Sequence, residues 1–331
     1  MEPVGVVIVI LMAMGFNYTN GFHDAANAIA TSVSTRALTP RIALAMASVF
    51  NLIGSFFGAK VAKTVGSGII SLPPGTESLV VVFAALFGAI GWNLFTWYYG
   101  LPSSSSQALI GGLVGAAVVS GSTVLWPGVW DKIVIPSLVS PLAGFLGAYL
   151  LMVGILWAFR RGNPTKVNRG FRMSQSVSAA AMAFGHGIQD GAKIMGVVVL
   201  ALQVGGYQTT DTIPIWVFFM TAVVLAAGTY SGGWRIMRTL GRRIIELDPP
   251  RGFSAESTAS SILYIAAIKY GAPISTTHVI TASIMGAGAT KRMRAVRWGV
   301  VGDIVSGWVL TLPGSSLLAA GCFLALRPFF T

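Results

Sequence analysis

The chain has 331 residues, of which 54% are hydrophobic and only 10% charged, with a formal net charge of +12 and a mean hydropathy of +0.74. Such a composition excludes an ordinary soluble domain and describes a multi-span membrane protein embedded in a lipid bilayer, where 40 glycines suit close helix packing. The one cysteine, Cys322, excludes an internal disulfide framework or a cysteine metal cluster; the basic residues collect in short loops, as topology signals that do not call for nucleic acid.

The start, MEPVGVVIVILMAMGF, lacks the basic segment of a secretory signal and reads as mature protein. Residues 1–159 predict a first transmembrane repeat of five crossings: a broken one over 3–35, then 42–62, 78–99, 103–123 and 133–159. The polar stretch NYTNGFHD (17–24) interrupts the first apolar run and predicts a helix break that lines a site, because freed backbone groups in hydrocarbon need partners. Asp24 stands near the expected restart, placed to cap free amides or hold a cation, and His23 beside it can tune that carboxylate or relay protons. Downstream, LPSSSSQALIGGLVGA (101–116) sets Ser103, Ser104, Ser105 and Ser106 after Pro102, at an expected helix start. Free amides, the positive end of a helix dipole and hydroxyl donors together favour a phosphate- or sulfate-type oxyanion.

A basic linker, residues 160–172, follows with Arg160, Arg161, Lys166, Arg169 and Arg172. Residues 173–331 then predict a second repeat, with crossings at 174–205, 213–233, 254–270, 273–290 and 297–326. HGIQDGAKIMG (186–196) repeats GFHDAANAIA (21–30), placing Asp190 where the first half has Asp24. APISTTHVITASIMGA (272–287) repeats the hydroxyl cluster with Ser275, Thr276 and Thr277 after Pro273, and RTLGRRII (238–245) answers KTVGSGII (63–70). The duplicated acid and hydroxyl cluster predict one polar site built from two halves.

An odd number of crossings per repeat puts the halves in opposite orientations. By the positive-inside rule, the loop near 36–41, the linker, and the loops near 235–251 and 291–297 are cytoplasmic, with both termini outside. Lys60 and Lys63 then fall near the outer face, read as snorkelling from a span end. Glu256 and Asp303 have no matching acid in the other half and read as a helix cap or ion pair; His186 and His278 read as helix ties, and Trp92, Trp97, Trp126 and Trp130 as interface anchors. An acid pair beside a bound dianion repels it unless a cation or proton intervenes, so the downhill ion and the anion should bind cooperatively.

The motifs GFHDAANA (21–28), PSSSSQALIGG (102–112), HGIQDGAK (186–193), GTYSGGWRIMRTLG (228–241) and PISTTH (273–278), in this order over nearly the whole length, resemble those of the inorganic phosphate transporter family, the PiT group of ion-coupled phosphate symporters. The resemblance implies an all-α membrane protein of the inner (plasma) membrane, commonly a homodimer. Its fold would be an inverted-topology tandem repeat of about 5+5 crossings, or 10–12 helices, with discontinuous helices. Phosphate would be held by the hydroxyls of Ser103, Ser104, Ser105, Ser106, Ser275, Thr276 and Thr277 and by the Asp-x-x-Asn turn of Asp24 and Asn27, with Asp190 matching in the second half.

Sodium-coupled relatives usually place Asn before each acid and Asn three residues after it; here His23 and Gln189 precede the acids and Lys193 takes the second follower position. Lys193, one helical turn from Asp190, is expected to supply a fixed positive charge there, leaving protons as the coupling ion or reducing the number of sodium ions. The expected coupling set is therefore Asp24, Asp190, Lys193, His23 and Gln189, with the two acids as cation ligands if sodium is used, and no cofactor beyond that ion. A sulfate permease of the same family and a metal–phosphate symporter are the alternatives. Phosphate is preferred because it carries a proton that Asp24 can accept, whereas sulfate offers none. No nucleophile motif is evident, so an intramembrane hydrolase built on Ser105 or Ser275 with His278 is disfavoured, and the chain reads as no enzyme.

Overall fold

A computed structural model describes residues 3–329, apart from the side chain of Arg242. Helices dominate in both halves of the chain. The first half holds α1 (Pro3–Ser34), α2 (Pro40–Ser55), α3 (Ala59–Ser67), α4 (Thr76–Tyr99), α5 (Ser105–Ser120), α6 (Trp126–Val129) and α7 (Ile135–Ala158). A short antiparallel pair, β1 (Ile70–Ser71) with β2 (Thr123–Val124), ties the entrance of α4 to the exit of α5, with Ile70 opposite Val124. The second half holds α8 (Pro164–Val204), α9 (Ile215–Ser231), α10 (Trp234–Arg238), α11 (Pro249–Tyr264), α12 (Thr276–Ala289) and α13 (Trp298–Leu326).

The helix ends follow their local chemistry. Asn163 caps α8 by accepting from Thr165 and Lys166 N–H, and Pro164 follows at the first position, where no amide hydrogen is needed. Gly100 ends α4 at φ 66°, and Gly271 ends the π-helical turn after α11 at φ 59°, left-handed conformations that a side chain disfavours.

Exchanging the two halves exchanges the packing partners. α5 packs on α13 as α12 packs on α7, and α2 packs on α8 as α9 packs on α1. The α2–α8 crossing is so close that a Cβ added at Gly54 would stand 2.2 Å from the Phe184 carbonyl oxygen, and one at Gly187 2.3 Å from that of Asn51. Only small residues permit such approach. α7 instead exposes Leu138, Leu142, Leu146 and Leu150 as one ridge, and α13 exposes Val309 and Leu317, the surface a lipid-facing helix requires. One apolar cluster takes in α1 up to Phe16; another begins on α1 at Ala25. The polar segment of α1 lies between them.

Three expectations need correction. α1 runs unbroken through residues 17–24, and α8 is likewise one helix of 41 residues. The polar side chains of α1 leave the helix's backbone N–H groups in the ladder: Asn17 Nδ2 donates to the Thr221 carbonyl of α9 at 2.8 Å, and Thr19 Oγ1 only adds a bond to the Phe16 carbonyl of its own helix at 2.8 Å. The breaks fall instead between α2 and α3, inside the crossing expected over 42–62 and bent by 70°, and between α9 and α10, at the end of the crossing expected over 213–233 and bent by 57°.

α5 and α12 have 16 and 14 residues. At ~1.5 Å per residue these are roughly 24 and 21 Å long, short of the ~30 Å hydrocarbon core. Among the described residues, five helices are long and apolar enough to cross a membrane, or seven when each bent pair is one span, against the ten crossings expected.

Glu256 is no cap and has no ion-pair partner among the described residues. It is fully buried on α11, accepting from Thr31 Oγ1, from Ser178 Oγ at 2.5 Å and from Gln175 Nε2 at 3.4 Å. At the chain's other charged outliers, Lys63 Nζ pairs with Asp211 at 3.3 Å and Lys60 Nζ donates to the Ile268 carbonyl at 2.8 Å.

Candidate functional site

α4 and α5, and likewise α11 and α12, form hairpins whose tips carry the two hydroxyl clusters to the middle of α1 and α8. At each tip a serine starts the short helix. Ser104 Oγ accepts from Gln107 N–H and Ser275 Oγ from His278 N–H, both at 3.1 Å, so these two oxygens serve as N-caps. Pro102 is anchored from the second half, because Trp308 Nε1 donates to its carbonyl at 3.0 Å while the indole stacks on His278.

The next two residues of each tip reach the acids' helices. Asp24 on α1 accepts from Ser105 Oγ of the first tip and, at 3.2 Å, from Thr277 Oγ1 of the second. Asn27 Nδ2, one turn further along α1, donates to Thr277 Oγ1 at 2.8 Å and Thr276 Oγ1 at 3.3 Å. Lys193 Nζ on α8 donates to Ser106 Oγ and, at 3.0 Å, to the Ile274 carbonyl. Residues from four elements and both halves thus converge, and all are buried.

His23 Nδ1 lies 2.9 Å from Asp24 Oδ1, and its Nε2 lies 3.1 Å from Thr96 Oγ1 on α4. Ser103 Oγ donates to Thr96 Oγ1 at 2.8 Å, one shell outside the acid. On α8, Asp190 Oδ1 is 2.7 Å from Lys193 Nζ and its Oδ2 is 2.9 Å from His186 Nε2, while His186 Nδ1 meets Asn51 Oδ1 at 3.1 Å. Asp24, His186 and Asp190 each offer a ligand atom within 4.8 Å of the others'. Acids 166 positions apart are thereby neighbours. Gln189 points away from them, its Nε2 donating to the Ala272 carbonyl at 3.2 Å, so it ties α8 to the second hairpin.

The arrangement has the chemistry of an anion site with a charge-compensating flank. The first amides of two short helices and four hydroxyls supply donors without fixed charge. Asn27 Oδ1 and Gln107 Oε1 are buried without a hydrogen-bond partner among the described residues, as is common where a ligand or water completes a site. The acids stand beside one lysine and two histidines.

A model of the phosphate transporter family matches residues 20–319. The chain belongs to that family. It is 46% identical over 320 residues to a Rhizobium meliloti protein named "probable low-affinity inorganic phosphate transporter", covering 96% of this chain and 95% of the relative. A Bacillus subtilis protein of the same name is 40% identical over 326 residues, covering 98% of each. Among solved structures, "The sodium-dependent phosphate transporter" matches with a TM-score of 0.89 at 24% identity, covering 98% of this chain and 99% of that one, a likeness of fold. Phosphate is the substrate of the family, whose members are transporters and not enzymes.

Motif reading left His186, which touches Asp190, as a tie, and passed over Asn51 and Thr96, which hold His186 and His23. A signal was present for the first: His186 precedes Asp190 by four residues, the spacing that places two side chains on one helix face.

Proposed function

We propose that this protein is a secondary active transporter of the plasma membrane that imports inorganic phosphate by symport with protons. Phosphate would be bound between the two hairpin tips, by the hydroxyls of Ser105, Ser106, Thr276 and Thr277 and by Asn27. The observation that carries the choice of ion is the Lys193 ammonium, 2.7 Å from Asp190 and also held by Ser106. A permanent charge at that carboxylate takes the place a hard cation would occupy, and His23 and His186 put titratable nitrogens 2.9 Å from each acid.

An inverted arrangement of the two halves would suit alternating access, and the exchange of packing partners, α5 on α13 as α12 on α7, supports it. Motion of one half against the other would open the tips to each side in turn. Hydroxyl donors bind without fixed charge, which lets the anion leave.

Purified protein in liposomes, assayed for labelled phosphate uptake under separately imposed proton and sodium gradients, tests the reading. Uptake driven by an inward proton gradient, without need of sodium and resistant to sulfate, is expected. Uptake that requires sodium would overturn the proton assignment, and preference for sulfate would overturn the anion.

A further inference from the structure

The first hairpin tip is clamped from outside by the element after the bend in the α9–α10 pair. Arg235 Nη1 donates to the Tyr98 carbonyl at 2.5 Å and Thr239 Oγ1 to the Gly100 carbonyl at 2.9 Å. The duplicated element does the same at the second tip. Lys60 Nζ donates to the Ile268 carbonyl and Thr64 Oγ1 to the Gly271 carbonyl, both at 2.8 Å. A base and a threonine one turn on are therefore what the clamp itself requires.

Beyond the clamp the two copies diverge. Where the first half has Lys63, paired with Asp211, and Gly68, the second has Arg238 and Arg243. Both arginines are exposed and have no hydrogen-bond or ion-pair partner among the described residues. With Arg235, Tyr98, Tyr99 and Trp234 they line a cavity of about 370 Å³. The fold does not need the charge at 243, since the other half builds the same element with Gly68 there, and at 238 the base has no counterpart, among the described residues, of the Asp211 that pairs with Lys63.

We propose that this cavity binds a phosphate group, carried by an anionic lipid headgroup or free as inorganic phosphate. Guanidinium groups offer paired donors matched to phosphate oxygens, and Arg235 is held in place by the rings of Trp97 and Tyr98, each 5.0 Å away. Tyr98, Tyr99 and Trp234 are exposed beside the arginines, as aromatic side chains at a headgroup level are. The cavity has room for a phosphoglycerol headgroup. Its occupant would touch the clamp on the α4–α5 hairpin and so reach the tip that carries Ser105 and Ser106.

Binding can be read without transport. Detergent-purified protein is offered phosphatidylglycerol or phosphatidylcholine and retained lipid is counted by native mass spectrometry; in parallel, equilibrium dialysis counts labelled inorganic phosphate per chain. In the lipid arm, phosphatidylglycerol retention should fall about tenfold in the Arg238→Gln, Arg243→Gln double variant, with phosphatidylcholine unchanged. In the phosphate arm, loss of one bound phosphate per chain in the same variant would assign the site to the free ion. If that variant does not fold, Arg243→Ser replaces it, because the other half folds with Gly68 at that place. Equal lipid retention and equal phosphate stoichiometry in wild type and variant would overturn the proposal.

Discussion

Lys193 and Asp190, one turn apart on α8, form a buried ion pair at 2.7 Å, and the same ammonium reaches across to Ser106 on α5. One side chain therefore links an acid of the second repeat to the hydroxyl cluster of the first. Lys193→Met leaves Asp190 buried without its ammonium and should cost about 3–5 kcal/mol of stability, read by thermal unfolding in detergent. Lys193→Asn should be milder and should make phosphate uptake in liposomes respond to an imposed sodium gradient. No gain of sodium dependence would mean that the charge at residue 193 does not select the ion.

Asp24 accepts from both tips, Ser105 on one side and Thr277 on the other. Asp24→Asn keeps the shape but turns one acceptor oxygen into a donor amide against a buried hydroxyl. At about 1–3 kcal/mol for each misfitted buried contact, phosphate uptake should fall roughly a hundredfold. Its dependence on external pH should flatten at the same time; a variant with a wild-type pH profile would remove Asp24 from coupling.

Ser104 and Ser105 are adjacent but have different tasks. Ser104→Ala removes the N-cap of α5 and should cost about 1 kcal/mol of stability, with Ser104→Asp restoring it. Ser105→Ala should leave stability nearer to wild type and reduce uptake more. Parallel unfolding and uptake measurements on the three variants separate the roles.

Glu256 is held by donors from two other helices, Thr31 on α1 and Gln175 and Ser178 on α8. Glu256→Leu strands these groups in the interior and should destabilise by about 2–3 kcal/mol. Glu256→Gln retains an acceptor, and its hydroxyl neighbours can turn, so its melting temperature should stay closer to wild type than that of the leucine variant.

Gly54→Ala forces a Cβ to 2.2 Å from backbone of α8, so α2 and α8 must separate. A loss of about 3 kcal/mol or failure to fold is expected, as for other overpacked sites. Gly299→Ala, with nothing within 4 Å of the new atom, should be neutral.

Much of the fold class and of the site was legible because duplication marks what one copy alone would leave ambiguous. Asp24 and Asp190, and the hydroxyls after Pro102 and Pro273, stand out because each recurs in order. The family model and the relatives agree with the identity those motifs implied. The breaks were misread for a physical reason. A polar run such as NYTNGFHD signals buried polar side chains, but it breaks a helix only if those side chains take backbone groups from the ladder. Here Asn17 bonds to α9 and Asp24 to α5 and α12, so α1 stays whole.

Composition and the order of charges mark a membrane-embedded chain, and the repeated motifs carry the resemblance to phosphate transporters that the family model bears out, since these depend on residue type and spacing along the chain. That α5 and α12 stop short of a full span, that Glu256 lies among hydroxyls, and that Asp24, His186 and Asp190 share one small volume depend on which helix faces which. Such relations join residues up to 253 positions apart, as Asp24 with Thr277, and arise when the two halves pack together and bury their polar stripes against each other.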